Sequence, residues 1–132
     1  GLLGLRGLPR NGARHERAPS RPAAWGGLIM ISVAYHQHMI DAHVCDDRYV
    51  DMARLMGNWL ASKPEDFIVE LERLIDECNM GDLKMSDWGI APEEFDAMAS
   101  NALDTNDALF AHDPVQLSHD DVVNILKASW VE

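Results

Sequence analysis

The chain has 132 residues, 47% of them apolar, which is enough for one modest domain with a hydrophobic core. Its net charge of −11 is uneven: residues 1–27 hold five Arg and one Glu, whereas residues 28–132 hold six Lys or Arg and 21 Asp or Glu. The acidic part repels phosphate backbones, which disfavours nucleic-acid binding, and no apolar run reaches the ~18–20 residues that a membrane span needs.

The first 27 residues, GLLGLRGLPRNGARHERAPSRPAAWGG, are rich in Gly, Pro, Ala and Arg and show neither a helical nor a strand period. This composition predicts a disordered or loosely attached segment outside the folded domain. Arginines attract RNA and anionic lipid, but the segment lacks interleaved aromatic residues and an apolar helical face. We therefore expect no nucleic-acid partner and no membrane partner.

The cysteines and the N-terminal residues both indicate a cytoplasmic protein. Cys45 and Cys78 lie far apart without CxxC spacing, which is typical of reduced thiols. The first 27 residues contain no compact apolar stretch of the kind that a signal peptide carries.

The first half of the remaining chain predicts three helices. Residues 28–42 are apolar enough for a largely buried helix, and residues 46–57 start on Asp residues and end at Gly57. In SKPEDFIVELERLIDECNMG, Ser62 and Glu65 have capping-box spacing, and Gly81 is the predicted stop. The predicted inward faces are Tyr49, Met52, Ala53 and Met56 in the second helix, and Phe67, Ile68, Leu71, Leu74, Ile75 and Cys78 in the third.

The second half predicts a connector and two more helices. MSDWGI has the residues of a turn, and a helix then opens at residues 92–94. In the last helix Ser118 and Asp121 form the predicted cap. The predicted inward faces are Phe95, Met98, Ala99, Ala102 and Leu103, and then Val122, Ile125, Leu126 and Trp130. No segment alternates as a strand, so residues 28–132 are predicted to form one all-α domain.

Three runs carry a family resemblance: GLIMISVAYHQHMIDAHVCDDRYVDMARLMG, LKMSDWGI and FDAMASNALDTNDALFAHDPVQLSHDDVVNILKASW. Together and in this order, they resemble the C-terminal helical domain of iron-containing alcohol dehydrogenases. The resemblance implies a helical bundle. In the family, that bundle follows an N-terminal dinucleotide-binding domain, and one Asp and three His hold a metal between the two. Hydride passes between an alcohol or aldehyde and NAD(P).

The metal-binding motif of that family does not occur in this chain. The family usually reads H-G-M-E-H-A-L-S-A-Y-H-P-x-L-P-H-G-A-G-L, in which the first His and the P-H-G His bind the metal and a His between them lies near the reacting carbon. The aligned residues here are PRNGARHERAPSRPAAWGGL, with Ala24 in place of the last His. The comparison implies no metal ligand, catalytic residue or cofactor-binding residue in this chain. Iron, or another divalent metal, and NAD(P) belong to the parent family.

A one-nucleotide shift in the reading frame would account for the missing motif. Codons permitted for residues 9–28, read one base forward, allow H-G-M-E-H-A-M-S-A-H-H-P-D-L-P-H-G-A-G, which runs into Leu28. Our hypothesis is that residues 1–27 are an out-of-frame translation of an alcohol dehydrogenase gene. A nucleotide sequence that encodes this histidine motif in no frame would refute it.

The histidines of the acidic part are predicted to be core or solvent-facing residues rather than ligands. On one helix His36 and His38 point about 200° apart, and His36 and His43 lie two turns apart, too far to chelate one ion together. His112 and His119 lie in or beside loops. The family resemblance places TNDALFAHD near the substrate, which makes Phe110 a substrate-pocket candidate, although Asn106–Asp107 replace the expected Met-Gly-like pair.

These observations favour an enzyme fragment without turnover, which self-associates through the face that normally packs on the nucleotide-binding domain. The alternative is a free-standing acidic helical module that docks a basic partner. A third, weaker hypothesis is nucleic-acid binding through residues 6–21, which salt would weaken.

Overall fold

The computed structural model describes the backbone of residues 22–131 and the side chains of residues 29–131. This part of the chain forms α1 (Pro22–Asp41), α2 (Asp46–Leu55), α3 (Glu65–Glu77), α4 (Phe95–Thr105), α5 (Asp107–Phe110) and α6 (His119–Ser129). It contains no strand, which confirms the predicted all-α class. None of the helices described there is long and apolar enough to cross a membrane.

The first helix begins earlier than the sequence pattern predicts. The pattern places its start at residue 28, whereas α1 begins at Pro22. Proline suits a first helical position because its missing N–H has no partner there and its φ is already helical. Residues 22–27 are therefore helical, and the predicted disorder of residues 1–21 lies outside the described residues. After Asp41 the chain turns through His43, which has a φ of 55°.

The second helix matches its prediction closely. Tyr49 and Ala53 are buried, and Gly57 ends the segment with a φ of 114°, a conformation that glycine adopts without strain. Met52, predicted to face inward, is exposed. The neighbouring helices cover only part of the apolar face of α2, and Met52 lies outside the covered part.

The third helix is capped differently from the prediction. The Asp66 carboxylate, not Glu65, accepts backbone hydrogen bonds, from the N–H groups of Ser62 (3.0 Å) and Lys63 (3.2 Å). These bonds lower the pKa of Asp66, because they stabilise its charged form. The capping contact is thus shifted by one residue along the chain.

The third helix also ends before the predicted stop. α3 ends at Glu77, and Asn79 adopts a φ of 57°, so the left-handed residue is Asn79 and not Gly81. The Met80 N–H then bonds to the Ile75 carbonyl at 3.0 Å, which closes the helix end. Cys78, predicted to face inward, is exposed.

The remaining elements follow the predicted order. Two 3₁₀ turns, Met85–Trp88 and Pro92–Glu94, form the connector and lead into α4. Ser118 and Asp121 make the predicted capping box: the Asp121 N–H donates to Ser118 Oγ (3.1 Å) and the Ser118 N–H to Asp121 Oδ2 (2.9 Å). The short helix α5 is not predicted by the sequence pattern.

Two clusters of buried side chains form the core, and α6 contributes to both. The main cluster gathers side chains from α1, α2, α3 and α6, and the second gathers the 3₁₀ connector, α4 and α6. Their buried members are, in the main cluster, Met39, Ile40, Tyr49, Ala53, Ala61, Phe67, Leu117 and Ile125, and in the second Met85, Phe95 and Leu126. Ile125 and Leu126 are adjacent in sequence, so α6 joins the clusters.

Candidate functional site

A cluster of aromatic side chains surrounds His36 on α1 and includes residues of α2 and α3. Its Nδ1 lies 2.9 Å from the Tyr49 hydroxyl. The His36 ring meets Tyr35 and Phe67 edge to face, with ring centroids 5.1 Å and 5.2 Å apart. Burial lowers the pKa of His36, because a charged imidazole loses hydration there. His36 is therefore a neutral, hydrogen-bonded core residue at pH 7.

The two tyrosines of this cluster also stay protonated at neutral pH. Tyr35 donates a hydrogen bond to Asp113 Oδ1 at 2.5 Å, and burial together with this carboxylate raises the pKa of Tyr35. Burial, with a smaller contribution from Cys45, raises the pKa of Tyr49 to about 12. A phenol with a raised pKa is a poor general base near pH 7. The cluster is thus suited to holding α1, α2 and the loop before α6 together.

A groove open to solvent lies between α1, α3 and α6, with a volume of about 360 Å³. We call it the α1–α3–α6 groove. Its apolar lining includes Ala34, Ile68 and Ile125, and its polar lining includes His38, Asp41 and Glu72. Gln37 on α1 donates a hydrogen bond to Asp41 Oδ1 at 2.9 Å. None of the aromatic residues around His36 lines this groove.

The other histidines lie apart from one another. His38 lines the groove, while His43 is not on α1, so the expectation that His36 and His43 share a helix face is wrong. The chain leaves the helix at Asp41, and His43 Nδ1 instead lies 3.0 Å from Asp46 Oδ2 at the start of α2. His112 is exposed in the loop after α5.

His119 connects the start of α6 to α4. Its Nε2 lies 3.1 Å from the Asp96 carbonyl oxygen and 3.2 Å from Asp96 Oδ1. The hydrogen bond to the Asp96 backbone, followed by those to nearby carboxylates, raises the pKa of His119. Both contacts join residues 23 positions apart in the sequence, and they position the start of α6 on α4.

The side chains of residues 29–131 do not fit a catalytic metal centre. Such a centre needs several His, Cys, Asp or Glu ligands that converge on one point. Nowhere among these residues do three such side chains come together. The described part of the chain thus gives no set of donors for the iron that the family resemblance implies.

Phe110, the substrate-pocket candidate, lies at the end of α5. It is half-buried and packs against the main core cluster. It does not line the α1–α3–α6 groove. Asn106 ends α4 and begins α5, so the Asn106–Asp107 pair forms the junction of these two helices. A role for Phe110 in a substrate pocket stays a prediction.

Sequence reasoning missed two features of this region, the groove and the bond between Tyr35 and Asp113. Both depend on how distant segments meet, and no local period reports that.

The family model described as Fe-containing alcohol dehydrogenase family, C-terminal, matches residues 27–130. No curated protein and no solved structure matches the chain.

Proposed function

The chain belongs to the Fe-containing alcohol dehydrogenase family through its C-terminal domain, and we propose that it is a helical fragment of such an enzyme, without activity of its own. The activity of the parent enzyme is NAD(P)-linked oxidation of an alcohol or reduction of an aldehyde, with iron or another divalent metal. The proposal includes a cytoplasmic location.

One observation carries the proposal of inactivity. The family match begins at residue 27, and the side chains described from residue 29 onward offer no convergent set of metal ligands. In the parent enzyme, a bound divalent metal would supply Lewis-acid activation of the alcohol, and the nicotinamide would accept the hydride. The described side chains of residues 29–131 would not supply this chemistry, because they offer no convergent donor set for the ion.

The test is turnover and binding by the purified full chain. We expect no alcohol-dependent reduction of NAD or NADP after Fe(II) or Zn(II) is added, and no metal retained after dialysis. A preparation from cells that carry the empty vector controls for host dehydrogenases. Turnover that co-elutes with the chain, or a tightly held ion, would contradict the proposal.

We further propose that the fragment self-associates through exposed apolar residues at the end of α2 and in the loop that follows it. Leu55, Trp59 and Leu60, here called the 55–60 patch, are 83%, 79% and 91% exposed. Large apolar side chains clustered on a surface favour contact with another molecule. The charge of −11 on each copy opposes this association, so salt is expected to strengthen it.

Light scattering on a sizing column tests this surface over a range of protein concentrations. The variant W59S/L60S is expected to shift the chain toward monomer. The variant L109S/V131S is the matched control, since Leu109 and Val131 are also exposed but lie outside the patch. If W59S/L60S and L109S/V131S associate to the same extent, the self-association uses a surface other than the 55–60 patch.

The acidic surface supports the alternative, a free-standing helical module that docks a basic partner. Residues 28–132 carry 21 Asp or Glu against six Lys or Arg. An evolved module is expected to be a monomer or a closed dimer, whereas an exposed fragment forms larger, open-ended assemblies. The same light-scattering measurement therefore distinguishes an enzyme fragment from a free-standing module.

The origin of residues 1–27 forms a separate proposal. We propose that they are a frame-shifted translation joined to the domain of residues 28–132. The nucleotide sequence upstream of the Leu28 codon tests it: the histidine motif in an alternative frame supports the proposal, and its absence from all frames refutes it.

A further inference from the structure

The α1–α3–α6 groove combines an apolar floor with carboxylates at its edge. The partly exposed Val33 and Ile68 contribute apolar surface, and Asp41 and Glu72 contribute negative charge. Among the described residues, no Lys or Arg lines the groove. A ligand that suits it has apolar side chains next to positive charges.

The first ten residues of the same chain have this chemistry. The segment GLLGLRGLPR contains four leucines and two arginines, Arg6 and Arg10, and no acidic residue. The 17 residues that follow contain three more arginines and one glutamate. The segment and the acidic part of the chain therefore attract each other.

The connection is long enough for the segment to reach the groove. The groove lies along α1 between Val33 and Asp41, and α1 begins at Pro22. At about 1.5 Å per residue, the distance from Pro22 to Asp41 along the helix is about 28 Å. Residues 9–21 can span up to about 43 Å when extended, at about 3.3 Å per residue.

Tethering lowers the affinity that such a contact requires. A segment joined by a short flexible linker has an effective concentration on the order of 1 mM at its site. An intrinsic dissociation constant near that value is therefore enough to keep the groove occupied about half of the time. Salt bridges alone are weak at an exposed site, so the leucines are needed as well.

We propose that residues 1–10 bind back into the α1–α3–α6 groove of the same molecule. Their leucines cover Val33 and Ile68, and Arg6 and Arg10 lie beside Asp41 and Glu72. The contact is independent of the proposed enzyme family function and of the reading frame that produced the segment, because it depends on charge, apolar area and chain length.

Paramagnetic broadening in the full chain tests the contact. A nitroxide is attached at position 4 in the variant G4C, in which C45A and C78S remove the native thiols. The amide signals of Ala34, Ile68 and Ala128 are expected to lose intensity, while those of Ser100 and Asn101 on α4 keep it. In about 1 M salt, where the Debye length is about 3 Å, most of the loss is expected to disappear.

Two pairs of substitutions separate a specific contact from general charge attraction. D41N/E72Q in the groove is expected to restore most of the lost signal. E93Q/D104N removes the same charge from exposed carboxylates outside the groove and is expected to leave the broadening unchanged. R6Q/R10Q weakens the contact from the other side without any change to the helical domain, which keeps the test valid if D41N/E72Q fails to fold.

Three results would overturn the proposal. Broadening spread evenly over all acidic helices would show diffuse attraction. Equal effects of D41N/E72Q and E93Q/D104N would exclude the groove. Broadening of an unlabelled ¹⁵N chain by a labelled ¹⁴N chain, equal to that within one molecule, would show that a second copy supplies the segment.

Discussion

The Tyr35 hydroxyl donates a hydrogen bond to the Asp113 carboxylate at 2.5 Å, although the two residues lie 78 positions apart. Tyr35 is on α1 and Asp113 is in the loop between α5 and α6. The bond therefore fixes the loop that leads into α6 against the first helix. Both side chains are half-buried, so water competes with the contact less than at an exposed site.

Removal of this donor is expected to destabilise the fold. Y35F leaves the Asp113 carboxylate without its partner, and we expect the free energy of unfolding to fall by about 1.5–3 kcal/mol, as for hydrogen bonds to charged groups. D113N keeps a carbonyl acceptor and should cost less. Urea unfolding followed by circular dichroism at pH 7 measures both. If the Y35F chain is as stable as the unsubstituted chain, the bond between Tyr35 and Asp113 does not contribute to the free energy of unfolding.

Acid is expected to weaken the fold through His36. Its pKa is lowered in the folded state by burial, so below its ordinary value of 6.5 the unfolded chain binds a proton that the folded chain does not. Stability from this group is present above 6.5 and is lost as the pH falls from 6.5 through the lowered pKa of the folded state. The variant H36Q should show a flatter decrease between about pH 7.5 and about pH 5.5.

His119 provides a control with the opposite sign. Its pKa is raised in the folded state, so its stabilisation is complete below 6.5 and is lost as the pH rises through the raised value. Unfolding free energies of H119Q should therefore fall more steeply with acid than those of the parent. Identical pH profiles for H36Q and H119Q would contradict both assignments.

Asp66 rather than Glu65 is expected to stabilise the start of α3. D66A removes the acceptor for the Ser62 and Lys63 N–H groups and should lower the urea midpoint, whereas E65A should not. Because the pKa of Asp66 is lowered in the folded state, this stabilisation is present above the usual carboxyl pKa and is lost as the pH falls below it. The difference between D66A and the parent should therefore shrink in acid.

The end of α3 is expected to depend on Asn79. N79A places an alanine at a φ of 57° and should cost about 1 kcal/mol, because a Cβ is strained in the left-handed region. N79G should be neutral or slightly stabilising. G81A should change stability by less than about 0.5 kcal/mol, since its new Cβ meets the end of the flexible Asp76 side chain. A larger loss of unfolding free energy in G81A than in N79A would indicate that Gly81, and not Asn79, ends α3.

The sequence pattern predicts the helices well where a local period reports a buried face. Tyr49 with Ala53, and Phe95 with Ala99, follow the spacing of one helix face, and the structure buries all four. The Ser118–Asp121 cap is equally local. Such features depend on residues within one or two turns, which the sequence displays directly.

The sequence pattern predicts burial wrongly where the burial of a residue depends on a neighbouring helix or loop. Leu74 belongs to the apolar stripe of α3 but is 46% exposed. A stripe indicates which side of a helix is apolar, and it does not indicate how far along the helix another element covers it. His43 shows the same limit, since its helical position assumes that α1 continues past Asp41.

The candidate site was predictable only in part. The absence of the family's histidine motif can be read directly from the sequence of residues 9–28. The groove formed by Ile68, Ile125 and their neighbours needs three helices from distant parts of the chain. The spacing of residues within one helix does not indicate how these three helices pack against one another.

Because Ile125 and Leu126 enter different core clusters, the order of synthesis affects how this chain folds. A ribosome makes α1 to α5 before α6, so Met39 and Phe95 emerge long before the helix that covers both of their clusters. Nascent chains with unburied apolar surface are prone to aggregate and to bind chaperones. Premature termination within the codons of α6 would leave α1 and α4, the helices that pack on it, with unburied apolar surface.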